Sequence, residues 1–248
     1  NTKTYSLFWA AGNNNNNSTV SKIKEEIDSV LATVKCLKKF NLKIDNCNII
    51  SSAGAIYAGS VGIINELVKE NPISEYGKSR IEIEKIFTNL AQELQINLNI
   101  FRLTNVFGSK VKNNTSSGLI NNLVESNFSR KYLNIFVSLF TRQDYVDLEF
   151  VTNNICQISM TGLSNQYKKQ IYILSRNYSH SIQEIISIID KITHKKTLYV
   201  MQFDSNSRVR NSNMFFQINN NSYLKYKINP IDLEIRKLIV QAMSKKIA

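Results

Sequence analysis

Tyr76 and Arg80 stand four residues apart in the stretch Asn71-Pro72-Ile73-Ser74-Glu75-Tyr76-Gly77-Lys78-Ser79-Arg80. On a helix, residues at that spacing share a face, which brings the guanidinium near the phenol hydroxyl. A phenol titrates near pH 10, and a fixed positive charge beside it favours the phenolate. The pair is therefore a candidate for proton transfer nearer neutrality, with an ordinary exposed Tyr/Arg helical pair as the plain alternative. Lys78 points to another side of the helix and does not substitute for Arg80. Upstream, Ser51-Ser52 closes an apolar run and supplies hydroxyls at a strand end.

Four segments in order strengthen the chemical reading. The Tyr76 segment resembles the catalytic helix of the extended short-chain dehydrogenase/reductases, the NAD-dependent epimerase/dehydratase family, whose signature is Tyr-x-x-x-Lys; here Arg80 takes the lysine position. The run Asn48-Ile49-Ile50-Ser51-Ser52-Ala53-Gly54-Ala55-Ile56-Tyr57-Ala58-Gly59 resembles the family's fifth strand and its Ser-Ser-x-x-x-x-Tyr-Gly turn. Phe101-Arg102-Leu103-Thr104-Asn105-Val106-Phe107-Gly108 resembles its Arg-Leu-x-Asn-Val-Tyr-Gly element, and Arg142-Gln143-Asp144-Tyr145-Val146-Asp147 its Arg-Asp-Tyr-x-x-Val-Asp-Asp element. The resemblance runs from about Tyr5 to about Lys191.

The resemblance implies roles that spacing alone does not. Tyr76 is the base that removes a sugar hydroxyl proton, Arg80 stands in for the lysine, and Ser52 is the residue that hydrogen-bonds the reacting hydroxyl, although the family residue usually falls at the place of Ala53. Lysine offers a compact ammonium that holds the nicotinamide ribose and lowers the tyrosine pKa. Arginine keeps the charge but presents a planar fork, so weakened proton transfer is expected. NAD or NADP is the implied cofactor, against Ala10, Ala11, Gly12, Ser51, Tyr76 and Arg80. A nucleotide-sugar is the implied substrate, against Asn105, Asn122, Leu123, Phe136 and Arg142, the last as a diphosphate clamp. The stretch Ala53-Gly54-Ala55-Ile56 holds no carboxylate, which favours 4-epimerisation or keto-sugar reduction over dehydration. The competing reading is a degenerate, non-catalytic relative that binds a nucleotide-sugar or a partner protein.

The implied fold is α/β: a Rossmann-like parallel sheet, truncated at its N-terminus, with a small C-terminal α/β substrate domain. Residues 1–108 are expected to form a partial dinucleotide-binding domain and residues 109–248 mainly a substrate-binding region interleaved with the sheet. No Gly-x-x-Gly-x-x-Gly turn occurs in the sequence, whereas the family holds the pyrophosphate on such a turn and the helix that follows it. Tyr5 to Gly12 instead resembles the family's fourth strand, so its edge is expected to expose Leu7, Phe8 and Trp9 and to favour a homodimer or other oligomer. Apolar spacing predicts a helix over Lys22–Phe40, a buried strand over Cys47–Ser52, a helix over Tyr76–Leu94, a strand over Leu98–Leu103 and a Ser-capped helix over Ser181–Ile192. Asn13 to Asn17 is expected to be a solvated loop, and no element is assigned after Lys195.

Composition narrows the classes further. The 248 residues carry a net charge of +12 and a pI near 9.5, yet the basic residues are scattered, which disfavours a nucleic-acid role. Cys36, Cys47 and Cys156 are odd in number and widely spaced, and His180 and His194 are the only histidines. No metal site, disulfide framework or Ser-His-Asp triad is suggested. A reducing cytoplasmic setting follows from that cysteine usage, and no apolar run is long enough for a membrane helix.

Overall fold

The computed structural model describes residues 5–12, 14–40, 43–108, 118–161, 167–202, 213–218 and 223–247. In chain order the elements are β1 (Tyr5–Trp9), α1 (Val20–Phe40), β2 (Ile44–Ser52), α2 (Ala53–Ile56), β3 (Ile63–Ile64), α3 (Glu75–Leu94), β4 (Asn97–Leu103), β5 (Asn105–Phe107), α4 (Leu119–Ser129), β6 (Leu133–Ile135), β7 (Arg142–Asp147), α5 (Leu148–Thr161), β8 (Lys169–Leu174), β9 (Ser179–Ser181), α6 (Ile182–Thr193), β10 (Tyr199–Met201), β11 (Phe215–Phe216) and α7 (Ile231–Ile247). The chain divides into two compact units. The first comprises Asn1–Thr104, Asn154–Leu174 and Ile218–Lys225; the second comprises Asn105–Asn153, Ser175–Gln217 and Tyr226–Ala248.

The first unit is built on a parallel sheet in the order β1-β2-β4-β8. Its central strands are buried on both faces, as parallel strands covered by helices must be. Val30 of α1, Cys47 and Ile49 of β2, Phe87 and Leu90 of α3, and Leu98 and Ile100 of β4 form the core. Within it lies a polar ladder. Asn48 accepts from Asn99 Nδ2 at 2.8 Å and from Ser159 Oγ at 2.9 Å, and its own amide donates to Asn46 Oδ1 at 2.7 Å. The buried amides satisfy one another, which is what allows asparagine in these strands.

The expected exposure of β1 needs correction. Leu7 and Trp9 pack inward against the core, Trp9 with its ring centre 5.6 Å from that of Phe87, because alternate strand residues face opposite sides. Phe8 and Tyr5 are the exposed apolar residues, and among the described residues β1 pairs with β2 alone.

The helix that carries Tyr76 is fixed at its start by two local devices. The Ser74 side chain caps α3 by accepting from Gly77 N at 3.0 Å. Gly77 lets the helix approach the turn at Ser52, since a Cβ there would lie 2.5 Å from the Ala55 carbonyl oxygen.

In the second unit β5 runs parallel to β7 and β7 antiparallel to β9, while β6 pairs in parallel with β10. Phe107, Ile120, Leu123, Tyr145, Ile185, Ile189 and Ile235 lie in its core. Ser181 and Glu184 close a reciprocal capping box at the start of α6. The segment after Lys195, to which sequence reading assigned nothing, carries β10, β11 and α7. The Ile231, Ile235 and Ile239 spacing of α7 is a helical signal, and all three are buried. Among the described residues, no helix is long and apolar enough to cross a membrane, and no group of His, Cys, Asp and Glu is arranged to hold a metal ion.

Candidate functional site

Tyr76 projects from the first turn of α3 and Ser52 from the end of β2, where the Ser52 hydroxyl also accepts from Ala55 N at 3.3 Å as the cap of α2. Ser52 is close enough to the Tyr76 phenol to lower its pKa, as the smallest of the influences on it.

Arg80 is near Tyr76 but not as expected. Its guanidinium carbon lies 4.9 Å from the centre of the Tyr76 ring, a cation–π arrangement over the ring. Nη2 forms an ion pair at 2.6 Å with Glu26 Oε1 of α1, and both side chains are only 7% exposed. That contact is not aligned as a hydrogen bond, so Arg80 Nε and Nη2, like Ser51 Oγ, are buried without a hydrogen-bond partner among the described residues. Burial pushes the Tyr76 phenol above its ordinary range; Arg80 pulls it down, Glu26 pushes it up again, and Ser52 lowers it slightly. The expected shift towards neutrality is therefore reversed, because burial and a paired carboxylate outweigh the cation.

Glu26 was missed by sequence reading, although a signal was present: it occupies the inward stripe of α1 with Ile23 and Val30. A carboxylate on that face requires a partner. The Asn-rich loop supplies another one. Asn14 Nδ2 donates to Glu26 Oε2 at 2.6 Å and to the Lys22 carbonyl at 3.0 Å, while Asn16 Oδ1 accepts from the Ser74 hydroxyl at 3.0 Å. This loop, expected to be a solvated insertion, ties α1 to the cap of α3; Asn13 lies outside the described residues. Ala10, Ala11 and Gly12 follow β1 and are exposed. Ala11 and Gly12 border a groove of about 600 Å³ with Trp9, Asn14, Lys22 and Glu26.

A second charged network supports the turn after Ser52. Arg102, 3% exposed, donates from Nε and Nη2 to the two oxygens of Glu84 at 3.0 and 2.7 Å, from Nη1 to the Tyr57 hydroxyl at 2.5 Å, and from Nη2 to Glu70 at 2.7 Å. It ties β4 and α3 to the turn tyrosine.

The residues assigned to substrate all belong to the second unit. Asn105 is exposed and donates to the Asp144 carbonyl at 3.0 Å. Arg142 is engaged at both ends of its fork by Glu184, at 2.7 and 3.3 Å, and donates to the Ser179 carbonyl at 2.6 Å. Its pKa is raised chiefly by the bond to Glu184. Asn122 is half-buried on α4, and Phe136 is half-buried after β6. Leu123 is fully buried in the core, so its side chain is a packing residue.

A family model described as the NAD dependent epimerase/dehydratase family matches residues 8–153. No curated protein matches the chain. Among solved structures, the fold is similar to UDP-glucose 4-epimerase of Thermotoga maritima with UDP-glucose, at TM-score 0.83 and 17% identity over 98% of this chain and 78% of that one. It is also similar to MoeE5 in complex with UDP-glucose and NAD, at TM-score 0.81 and 13% identity over 98% and 80%. UDP-glucose 4-epimerase of Bifidobacterium longum with NAD+ and UDP gives TM-score 0.80 and 15% identity over 96% and 76%. These likenesses establish a Rossmann-like α/β fold.

Proposed function

We propose, from the premise that the chain belongs to the NAD dependent epimerase/dehydratase family, that it binds NAD and a nucleotide-sugar and that Tyr76 carries the proton in hydride transfer at a sugar carbon. The observation that supports this most is the convergence of Ser52, Tyr76 and Arg80 at the carboxyl end of β2. Solved proteins of the same fold bind UDP-glucose and NAD, which supports the same ligand classes here.

The residues of the first unit fit the ribose and nicotinamide end of the cofactor. Arg80 Nε and Ser51 Oγ are buried polar groups without a hydrogen-bond partner among the described residues, and Ala11 and Gly12 leave side-chain space along the groove. NAD, when bound, supplies the acceptor and donor of hydride. Tyr76 gives its phenolic proton to a keto-sugar oxygen on reduction and, as phenolate, takes the hydroxyl proton on oxidation; Ser52 orients that oxygen. Because burial raises the phenol pKa, the acid role in reduction is the one its surroundings favour. Asn105 and Arg142 are the residues for the diphosphate, and Arg142 must exchange Glu184 for that ligand.

The second reading, a non-catalytic binder, is favoured by the engagement of Arg80 with Glu26 and of Arg142 with Glu184. Calorimetric titration with NAD and, separately, UDP-glucose distinguishes the two. Binding of both supports the enzyme reading, whereas binding of UDP-glucose without NAD supports the binder and removes the hydride reaction.

A further inference from the structure

Glu26 sits between Ile23 and Val30 on the buried face of α1, where an ionised carboxylate persists only if its oxygens are occupied. Arg80 Nη2 approaches one oxygen at 2.6 Å and Asn14 Nδ2 the other at 2.6 Å. Gly12 closes the third side: a Cβ at that position would strike Glu26 Oε1 at 2.3 Å. The guanidinium so held lies 4.9 Å from the Tyr76 ring centre.

We propose that Glu26 is the positioning residue that sets the charge at Tyr76, by pairing with Arg80 over the ring, with Asn14 as the clamp on its carboxylate. Opposite charges in contact act on a third group as a dipole, whose field falls faster with distance than that of a lone cation. The groups that face the phenol are Arg80 from its own helix, Glu26 from α1 and Ser52 from β2; burial and Glu26 favour the protonated phenol, Arg80 and Ser52 the phenolate. With Glu26 in place the phenolate is disfavoured, and neutralising the carboxylate or drawing it away from Arg80 makes the phenolate more favourable. The catalytic meaning of this control rests on Tyr76 being the proton carrier, but its test needs no turnover.

The whole chain, labelled with carbon-13 at the tyrosine ring carbon bearing oxygen, is titrated by NMR, with Tyr76→Phe assigning the resonance. In Glu26→Gln the Tyr76 titration is expected to move down by about 1 to 3 pH units, the usual effect of an unpaired cation nearby. In the double variant Glu26→Gln/Arg80→Met it returns to within about 1 unit of the starting protein, since neither charge remains. Glu26→Asp keeps the charge balance while drawing the carboxylate back, so it serves if the first variant loses its fold by circular dichroism; a smaller shift in the same direction is expected. An unchanged Tyr76 titration in a folded Glu26→Gln or Glu26→Asp protein overturns the proposal. Failure to bind NAD or UDP-glucose leaves this result standing and removes only the enzymatic reading.

Discussion

Tyr76 is a residue whose type announces chemistry and whose environment decides which chemistry. Burial, and to a lesser degree Glu26, push its pKa up, and the ring rather than the hydroxyl faces Arg80. Tyr76→Phe removes the proton and little else, so under the proposed function it is expected to lower NADH-linked turnover by about 100-fold or more. Unchanged melting together with lost turnover is the expected pattern; retained turnover would remove Tyr76 from the mechanism. The positions of Tyr76 and Ser52 were each readable from local rules, a helix start and a strand end. Glu26 was less so, because a buried carboxylate in a helix signals a partner without saying which one.

Among elements, α3 is the one that the site depends on. Its first turn carries Tyr76, its second Arg80, and its third Glu84, which binds Arg102 of β4. Arg102→Met leaves Glu84 buried without its cation, and breaking one side of such a pair costs about 3 to 5 kcal/mol. Urea denaturation is expected to show that loss; a change under about 1 kcal/mol would mean that the network rearranges around methionine. The helices over Val20–Phe40, Glu75–Leu94 and Ile182–Thr193 were readable from apolar spacing, the last also from its serine cap, within a few residues of their observed ends. The short strands β6, β10 and β11 were not, since two or three residues carry no period and are defined only by the chain they pair with.

For the molecule as a whole, titration and the sheet edge set the behaviour. Burial and nearby Arg176 lower the His180 pKa below 6.5, so the unfolded chain binds more protons as pH falls through that value and stability declines there. Burial alone would raise the Glu184 pKa, but the bonds from Arg142 and from Ser181 N, with the charges of Arg142 and His180, together depress it below 4.5, so its contribution is lost further into acid. At the other end, burial pushes the Cys47 thiol from 9.0 up to about 12, so stability declines as pH rises above 9.0, where only the unfolded thiol ionises. Melting temperature is therefore expected to peak between pH 6.5 and 9.0, and a Cys47→Ala protein with an unchanged alkaline limb would count against the thiol's part in it. At the edge, β1 exposes Tyr5 and Phe8 and, among the described residues, pairs on one side only. This 248-residue chain is expected to self-associate in light scattering, and Phe8→Lys to lower the measured mass; a monomer before and after substitution would show the edge to be inert.

The family and the alternation of helices and strands were readable in the sequence, because they rest on motifs, periodicity and caps that act within a few residues. The tertiary structure alone decided that Arg80 pairs with Glu26, that Asn14 and Asn16 bind the helices flanking the site, and that Arg142 is engaged by Glu184. Those contacts join residues distant in the chain, and the desolvated charges find their partners only when the elements pack.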